Sequence, residues 1–350
     1  MRIVPMALLF AFSLTAIVQF AIAQPAPARP PVRQSRLVGG LPVESVTVVG
    51  VKPSEETIKN FVDTRTAPTP VLNKMARWML KICPNTTGLG NAYAKYITQR
   101  IRDVATAVGA PVNADPACRP NIEVVFTTTP QGFMENIRKK QPMLLGYHYN
   151  DREADQMAIV THSIQAWYAT ETIDFDGTRT VQDLTCRNSG GAMNIAENAP
   201  TSVFATLGTD TMHGEGNATP GSYQPSLPCA VVVHSSGSRI NNGLSNGFFN
   251  VEIVAEPAKL LDYEIGSLAD YVTMLALSQP ASLDSCQQLP SISNMLARGC
   301  ASVPNRITDG DLAYLRALYK MPDGSGLEIQ RDEIRLQMTK ALVTDKGGID

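Results

Sequence analysis

The sequence predicts an α/β protein: a mixed sheet packed with helices and stapled by disulfides. Three observations carry that expectation. Runs rich in β-branched residues lie at 121–127, 158–170 and 247–255, each bounded by Gly, Pro, Asn or Asp. Between and after them stand segments with apolar residues at helical spacing, the clearest at 91–108. Six cysteines follow an export signal, an even count that argues for disulfides in an oxidising compartment.

The chain opens with Arg2 and then an apolar run that ends in Ala21, Ile22 and Ala23. This is the pattern of a secretory signal peptide over residues 1–23, cleaved after Ala23. Residues 24–36 form a Pro-rich linker in which Arg29, Arg33 and Arg36 are spaced along extended chain. No later stretch has 18 uninterrupted apolar residues, so no membrane span is expected after signal cleavage. A formal charge of −2 over 350 residues, without long basic runs, leaves no electrostatic footprint for nucleic acid. The expected location is periplasmic or secreted.

Residues 37–66 form an N-terminal strand and helix. The strand covers 44–51, and the helix opens after Pro53 with Ser54 as its cap and Glu55 and Glu56 in its first turn. Residues 67–330 are read as one α/β domain. In it, Leu72, Met75, Trp78, Met79 and Ile82 have helix-like spacing, with Lys74, Arg77 and Lys81 on the wet faces. That assigns a helix to 72–83 and Trp78 to the core. The helix over 91–108 carries the stripe Tyr93, Ile97, Ile101, Val104 and Val108, and Gly109 and Pro111 end it. A strand at 121–127 and a short helix at 131–140 follow. The strand at 158–170 puts His162, Ile164, Ala166 and Tyr168 on one face and Thr161, Ser163, Gln165 and Trp167 on the other.

Residues 174–228 are dense in Gly, Asn, Thr and Pro, and read as an irregular excursion able to meet a partner. Short strands at 230–234 and 247–255 come next, then apolar helices at 262–277 and 307–319. Residues 331–350 are a final helix and tail. Sequential pairing of the cysteines, Cys83 with Cys118, Cys186 with Cys229 and Cys286 with Cys300, closes each loop inside one segment.

Two motifs bear on function. A zinc peptidase of the metzincin type needs H-E-x-x-H-x-x-G-x-x-H, because two histidines one helical turn apart face one metal, a third arrives after a Gly turn, and the Glu acts as base. Tyr263, Glu264, Ile265, Gly266 and Ser267, followed by Asp270 and Thr273, resemble that pattern with its ligands lost. Residues 307–319 are similar to the segment that follows the zinc helix in that superfamily. The resemblance implies a metzincin-like C-terminal half in which Glu264 alone keeps a catalytic position. The mature chain as a whole also resembles uncharacterised bacterial secreted proteins that share Ile82-Cys83-Pro84, Cys118-Arg119-Pro120-Asn121, Leu145-Gly146-Tyr147-His148 and Tyr263-Glu264-Ile265-Gly266. That second likeness implies no activity.

No two of the histidines His148, His162, His213 and His234 stand three or four residues apart, so no metal site is expected. His148, His162 and His234 are candidate binding residues. No G-x-S-x-G, P-loop or dinucleotide-binding fingerprint is present, and no cofactor is expected. The expected function is a non-catalytic binding protein on a degenerate peptidase scaffold, its partner an extracytoplasmic protein or peptide. Two alternatives stand beside it: a hydrolase assembled from dispersed His, Glu and Ser residues, and a cell-envelope assembly component.

Overall fold

A computed structural model describes residues 52–181 and 241–344. The expected strand at 44–51, the strand at 230–234, most of the excursion at 174–228, His213, His234 and the Cys186–Cys229 pair lie outside the described residues.

The frame is a six-stranded mixed sheet. β2 (Pro84–Thr87), α2 (Asn91–Val108) and β3 (Ile122–Phe126) make a parallel β-α-β unit, with Pro84 beside Ile122. β6 (Ser245–Ala255) is the central strand. It runs parallel to β3, with Ile122 beside Val251, and antiparallel to β4 (Ile164–Ile173), with Ile164 beside Ala255. β5 (Arg179–Val181) pairs antiparallel with Glu171–Ile173 at the far end of β4. β1 (Ala76–Arg77) adds to β6 at Asn246 and Gly247. The strand expected at 158–170 starts later, at Ile164, but keeps the face assignment that its alternation requires: Ile164 packs with the large core and Trp167 with a separate small one.

Helices cover one face. α2 packs with α5 (Ile265–Leu277), and behind them lie α6 (Asp309–Lys320), α7 (Leu327–Thr339) and α1 (Glu55–Arg65). α1 begins where Ser54 Oγ accepts from the Thr57 amide at 3.1 Å, as the cap residue predicts. It inserts Ile58, Phe61 and Val62 into the same core as the strands, so this N-terminal helix is part of the domain. α2 buries Ile97, Ile101, Val104, Ala105 and Val108, and Gly109 ends it at φ 84°. Tyr93, expected in the stripe, is 56% exposed instead. α6 has a complete capping box, in which the Thr308 hydroxyl accepts from the Asp311 amide and the Asp311 carboxylate accepts from the Thr308 amide.

The second face carries a smaller layer: α3 (Pro130–Lys140), a 3₁₀ turn at Pro142–Leu145 and α4 (Asp151–Met157). Met134, Ile137, Leu144, Leu145, Trp167 and Val254 form its core.

The helix expected over 72–83 does not form. Residues 74–78 are buried without interruption, whereas a surface helix buries only one stripe. Lys74 and Arg77, expected in solvent, explain the difference. Lys74 Nζ donates to Asn242 Oδ1 at 2.7 Å, Leu244 O at 2.6 Å and Gly324 O at 2.7 Å. Arg77 reaches the Leu318 carbonyl at 3.0 Å, the Met321 carbonyl and Asp323 Oδ1 at 2.5 Å. The two cations satisfy orphan carbonyls at the end of α6 and in the turn after it, and the extended backbone this demands becomes β1. Trp78 is core, as expected: its Nε1 donates to Ala276 O at 2.7 Å and its ring meets Phe248 edge-on at 5.6 Å.

Two of the expected disulfides are present, Cys83–Cys118 and Cys286–Cys300, with Cα atoms 6.0 and 5.2 Å apart. Among the described residues no cysteine is free. Among them, too, no helix is long and apolar enough to cross a membrane.

Candidate functional site

The peptidase-like stretch is used structurally. Glu264 is the N-cap of α5, exposed, and makes no side-chain capping bond. Tyr263 therefore precedes the helix, and the i to i+4 geometry that two zinc ligands need is not set up by 263 and 267. α5 then runs unbroken through Asp270 and Thr273 to Leu277, so no turn brings residue 273 back toward residue 263. Ser267, Asp270 and Thr273 each have a structural partner. Ser267 Oγ donates to Asn305 O at 2.6 Å and Thr273 Oγ1 to Ala269 O at 2.7 Å. Asp270 accepts from Arg100 Nε at 2.5 Å and from the Ile307 amide at 2.9 Å, which fastens α5 to α2 and to the start of α6.

The candidate histidines occupy separate places. His148 is buried and pairs through Nδ1 with Gly146 O at 2.8 Å. His162 lies just before β4, with Nδ1 2.8 Å from Thr161 Oγ1 and Nε2 3.2 Å from Asp284 Oδ1. Among the described residues no three His, Cys, Asp or Glu side chains cluster in a way that could hold a metal.

Two concavities remain. One of about 410 Å³ lies between α3 and α4, where Arg138 pairs with Asp155 at 2.5 Å and Gln131 Oε1 accepts from the Val160 amide at 2.9 Å. The other, about 170 Å³, lies along β4, where Ala166, Trp167, Tyr168 and Thr170 meet Gly146, Tyr147, Met157, Thr69 and Gln279. Gln279 Oε1 is buried there without a hydrogen-bond partner. Gly146, at φ 92°, permits this meeting: a Cβ on it would stand 2.5 Å from Tyr168 O, so only glycine lets the Pro142–Leu145 turn come down beside the strand. Tyr168 closes the floor by donating to Leu275 O at 3.0 Å and Ser278 O at 3.2 Å, and burial pushes its phenol well above its ordinary pKa. Trp167 Nε1 donates to Met157 O at 2.7 Å.

Along Ile164–Ala169, no described residue pairs with β4 on the side away from β6. The sequence signal for this groove is Gly146-Tyr147 within Leu145-Gly146-Tyr147-His148, next to the histidine whose ligand chemistry draws attention first. His148 in fact orients the turn, and Tyr147 and Gly146 line the groove.

No family model, curated protein or solved structure matches this chain.

Proposed function

We propose that this chain is an extracytoplasmic binding protein without catalytic activity, and that it takes an extended peptide along the outer edge of β4. The observation that carries the reading is the edge itself. β5 adds to β4 at Glu171–Ile173, so this edge accepts an antiparallel strand, and the groove lies further along the same strand, at Ala166–Thr170. A peptide continuing that line would find backbone groups of β4 on one side, with Tyr147 and Met157 to seat alternate side chains. The metzincin resemblance adds a negative expectation. Residues 263, 267 and 273 offer a phenol and two hydroxyls where imidazoles would hold zinc, and the two hydroxyls are spent on backbone carbonyls. The two disulfides among the described residues support the extracytoplasmic part of the reading, since such bridges persist in oxidising compartments.

Selection from a random peptide display library on the immobilised disulfide-bonded chain tests this. Enriched peptides should bind with affinities that fall at least tenfold in Met157→Glu and Tyr147→Glu, and should be unaffected by Glu264→Gln. Failure to enrich any peptide, or binding indifferent to both groove variants, contradicts the reading.

One arrangement favours hydrolysis instead. Thr161, His162 and Asp284 form a hydroxyl, imidazole and carboxylate chain of the kind that activates nucleophiles. Against it, Thr161 Oγ1 also lies 3.1 Å from Gln165 Oε1, and Asp284 is largely exposed. An esterase screen on wild type and His162→Ala decides: turnover that disappears with the imidazole would replace the binding reading.

A further inference from the structure

The second face of the sheet holds a set of oxygen acceptors that lack donors. Glu252 on β6 and Glu123 on β3 are direct cross-strand neighbours. Both point away from the large core, because Ile122, Val124, Val251 and Ile253 point into it and side chains alternate along a strand. Asn250, two residues before Glu252, shares that face. Glu252 and Asn250 are each 2% exposed, and Glu252 Oε1 and Asn250 Oδ1 have no hydrogen-bond partner. A buried acceptor without a donor is costly, and two beside a second carboxylate are a deficit of positive charge rather than a chance omission.

We propose that Glu252, Glu123 and Asn250 form a site for a hard divalent cation of the calcium class. Two carboxylates and an amide oxygen are the donors such a cation prefers, and the absence of imidazole and thiolate disfavours zinc and copper. Glu171, another buried acid of the sheet, is not part of the set, because Arg179 neutralises it at 2.6 Å. Glu252 has no such partner: burial and then the neighbouring Glu123 hold its carboxyl well above the usual range. Glu123 is also raised by burial, with Arg119 pulling in the opposite direction. Trp167 stands across from Glu252 on β4 and carries no charge. Three protein ligands, with the remainder water, imply half-saturation on the order of 10⁻⁴–10⁻³ M, the range of extracellular calcium modules.

Trp167 makes the test direct, since the chain has only one other tryptophan, Trp78, on the opposite face of the sheet. Terbium, a hard-cation probe, is titrated into the disulfide-bonded chain while tryptophan alone is excited. Saturable sensitised emission is expected, displaced by millimolar calcium, lost at least tenfold in Trp167→Phe and kept in Trp78→Phe. Glu252→Gln and, separately, the more exposed Glu123→Gln should each abolish it with the far-ultraviolet circular dichroism unchanged. No saturable emission, emission that survives Glu252→Gln, or emission that tracks Trp78 overturns the proposal.

Discussion

The two faces of the sheet handle polar groups in opposite ways. On the helix-covered face nearly every inward polar atom has a partner: Trp78 Nε1 with Ala276 O, Tyr319 with Leu277 O at 2.8 Å, Asp270 with Arg100 and the Ile307 amide. Asp311, fully buried, accepts from Ser291 Oγ, the amides of Ile292 and Thr308, and Thr308 Oγ1 at 2.6–3.1 Å. Arg65 and Ser293 Oγ are exceptions on this side. Arg65 is buried among Tyr168, Tyr271 and Tyr314, with Nε and Nη2 unpartnered, and burial holds the phenols of Tyr271 and Tyr314 up at about 12. On the second face, Glu252 and Asn250 keep unpaired oxygens on the very strand whose alternate residues build the core. A satisfied network specifies one structure, whereas unsatisfied buried acceptors mark a place waiting for something else. The contrast assigns the fold's stability to one face and its chemistry to the other, and it locates α5 wholly on the structural side.

The largest expected effect comes from breaking the satisfied face. Asp311→Ala strands three donors, Ser291 Oγ and the amides of Ile292 and Thr308, the last at the start of α6, and should cost about 3–5 kcal/mol by denaturant unfolding. A loss under 1 kcal/mol would mean that this network is not what locks α6 to the 290s loop.

Next is the disulfide Cys286–Cys300. Replacing both cysteines by Ser should cost about 3 kcal/mol, the chain-entropy value for a loop closed over a separation of 14 residues. Differential scanning calorimetry under non-reducing conditions reads it. Because the bridge holds the loop that joins α5 to α6, peptide binding at β4 should survive.

A smaller effect, of opposite sign, belongs to the second face. Burial raises Glu252 and lifts Glu171 to about 7, although Arg179 pulls the latter down. A carboxyl with a raised folded-state pKa binds its proton more tightly when folded. The stability it contributes is complete below its unfolded value of 4.5 and is lost as pH rises toward the folded value. Stability without divalent cations should therefore decline as pH climbs from about 4.5 to 7. Glu252→Gln should flatten the slope and leave the protein at pH 7 as stable as wild type or more so. Millimolar calcium should also flatten it in wild type. An unchanged slope in Glu252→Gln would show that the carboxyl is solvated.

The smallest effect is expected at Glu264. It is exposed at a helix N-cap without a capping bond, so Glu264→Gln should change stability by about 0.5 kcal/mol or less and leave peptide and terbium binding untouched. Any larger change in binding would return α5 to the functional side.

The sequence made the satisfied face legible and hid the other. α2, β3, α5 and α6 announce themselves by periodicity and caps, because their apolar residues all face one core. The helix expected at 72–83 failed because Lys74 and Arg77 find carbonyl acceptors about 170 and 241 residues away, a tertiary gain that no local pattern displays. Glu252 was equally invisible. In the run Asn250-Val251-Glu252-Ile253-Val254 alternation reads as a half-solvated strand, and only the pairing of β6 with β3 reveals Glu123 beside it. The metzincin resemblance rests on residue types at a spacing, and spacing does not show that α5 starts only at Ile265. The groove depends on Gly146 meeting Tyr168, 22 positions further along the chain, again beyond local reach.

The central claim, that ligand binding belongs to the edge of β4 that no described residue pairs with, and not to α5, is tested most directly by amide hydrogen exchange with a selected peptide bound. Protection should rise along Gln165–Ala169 and at Tyr147, and remain unchanged along α5. Protection that appears at Glu264 to Asp270, with the β4 amides exchanging as before, would contradict the account.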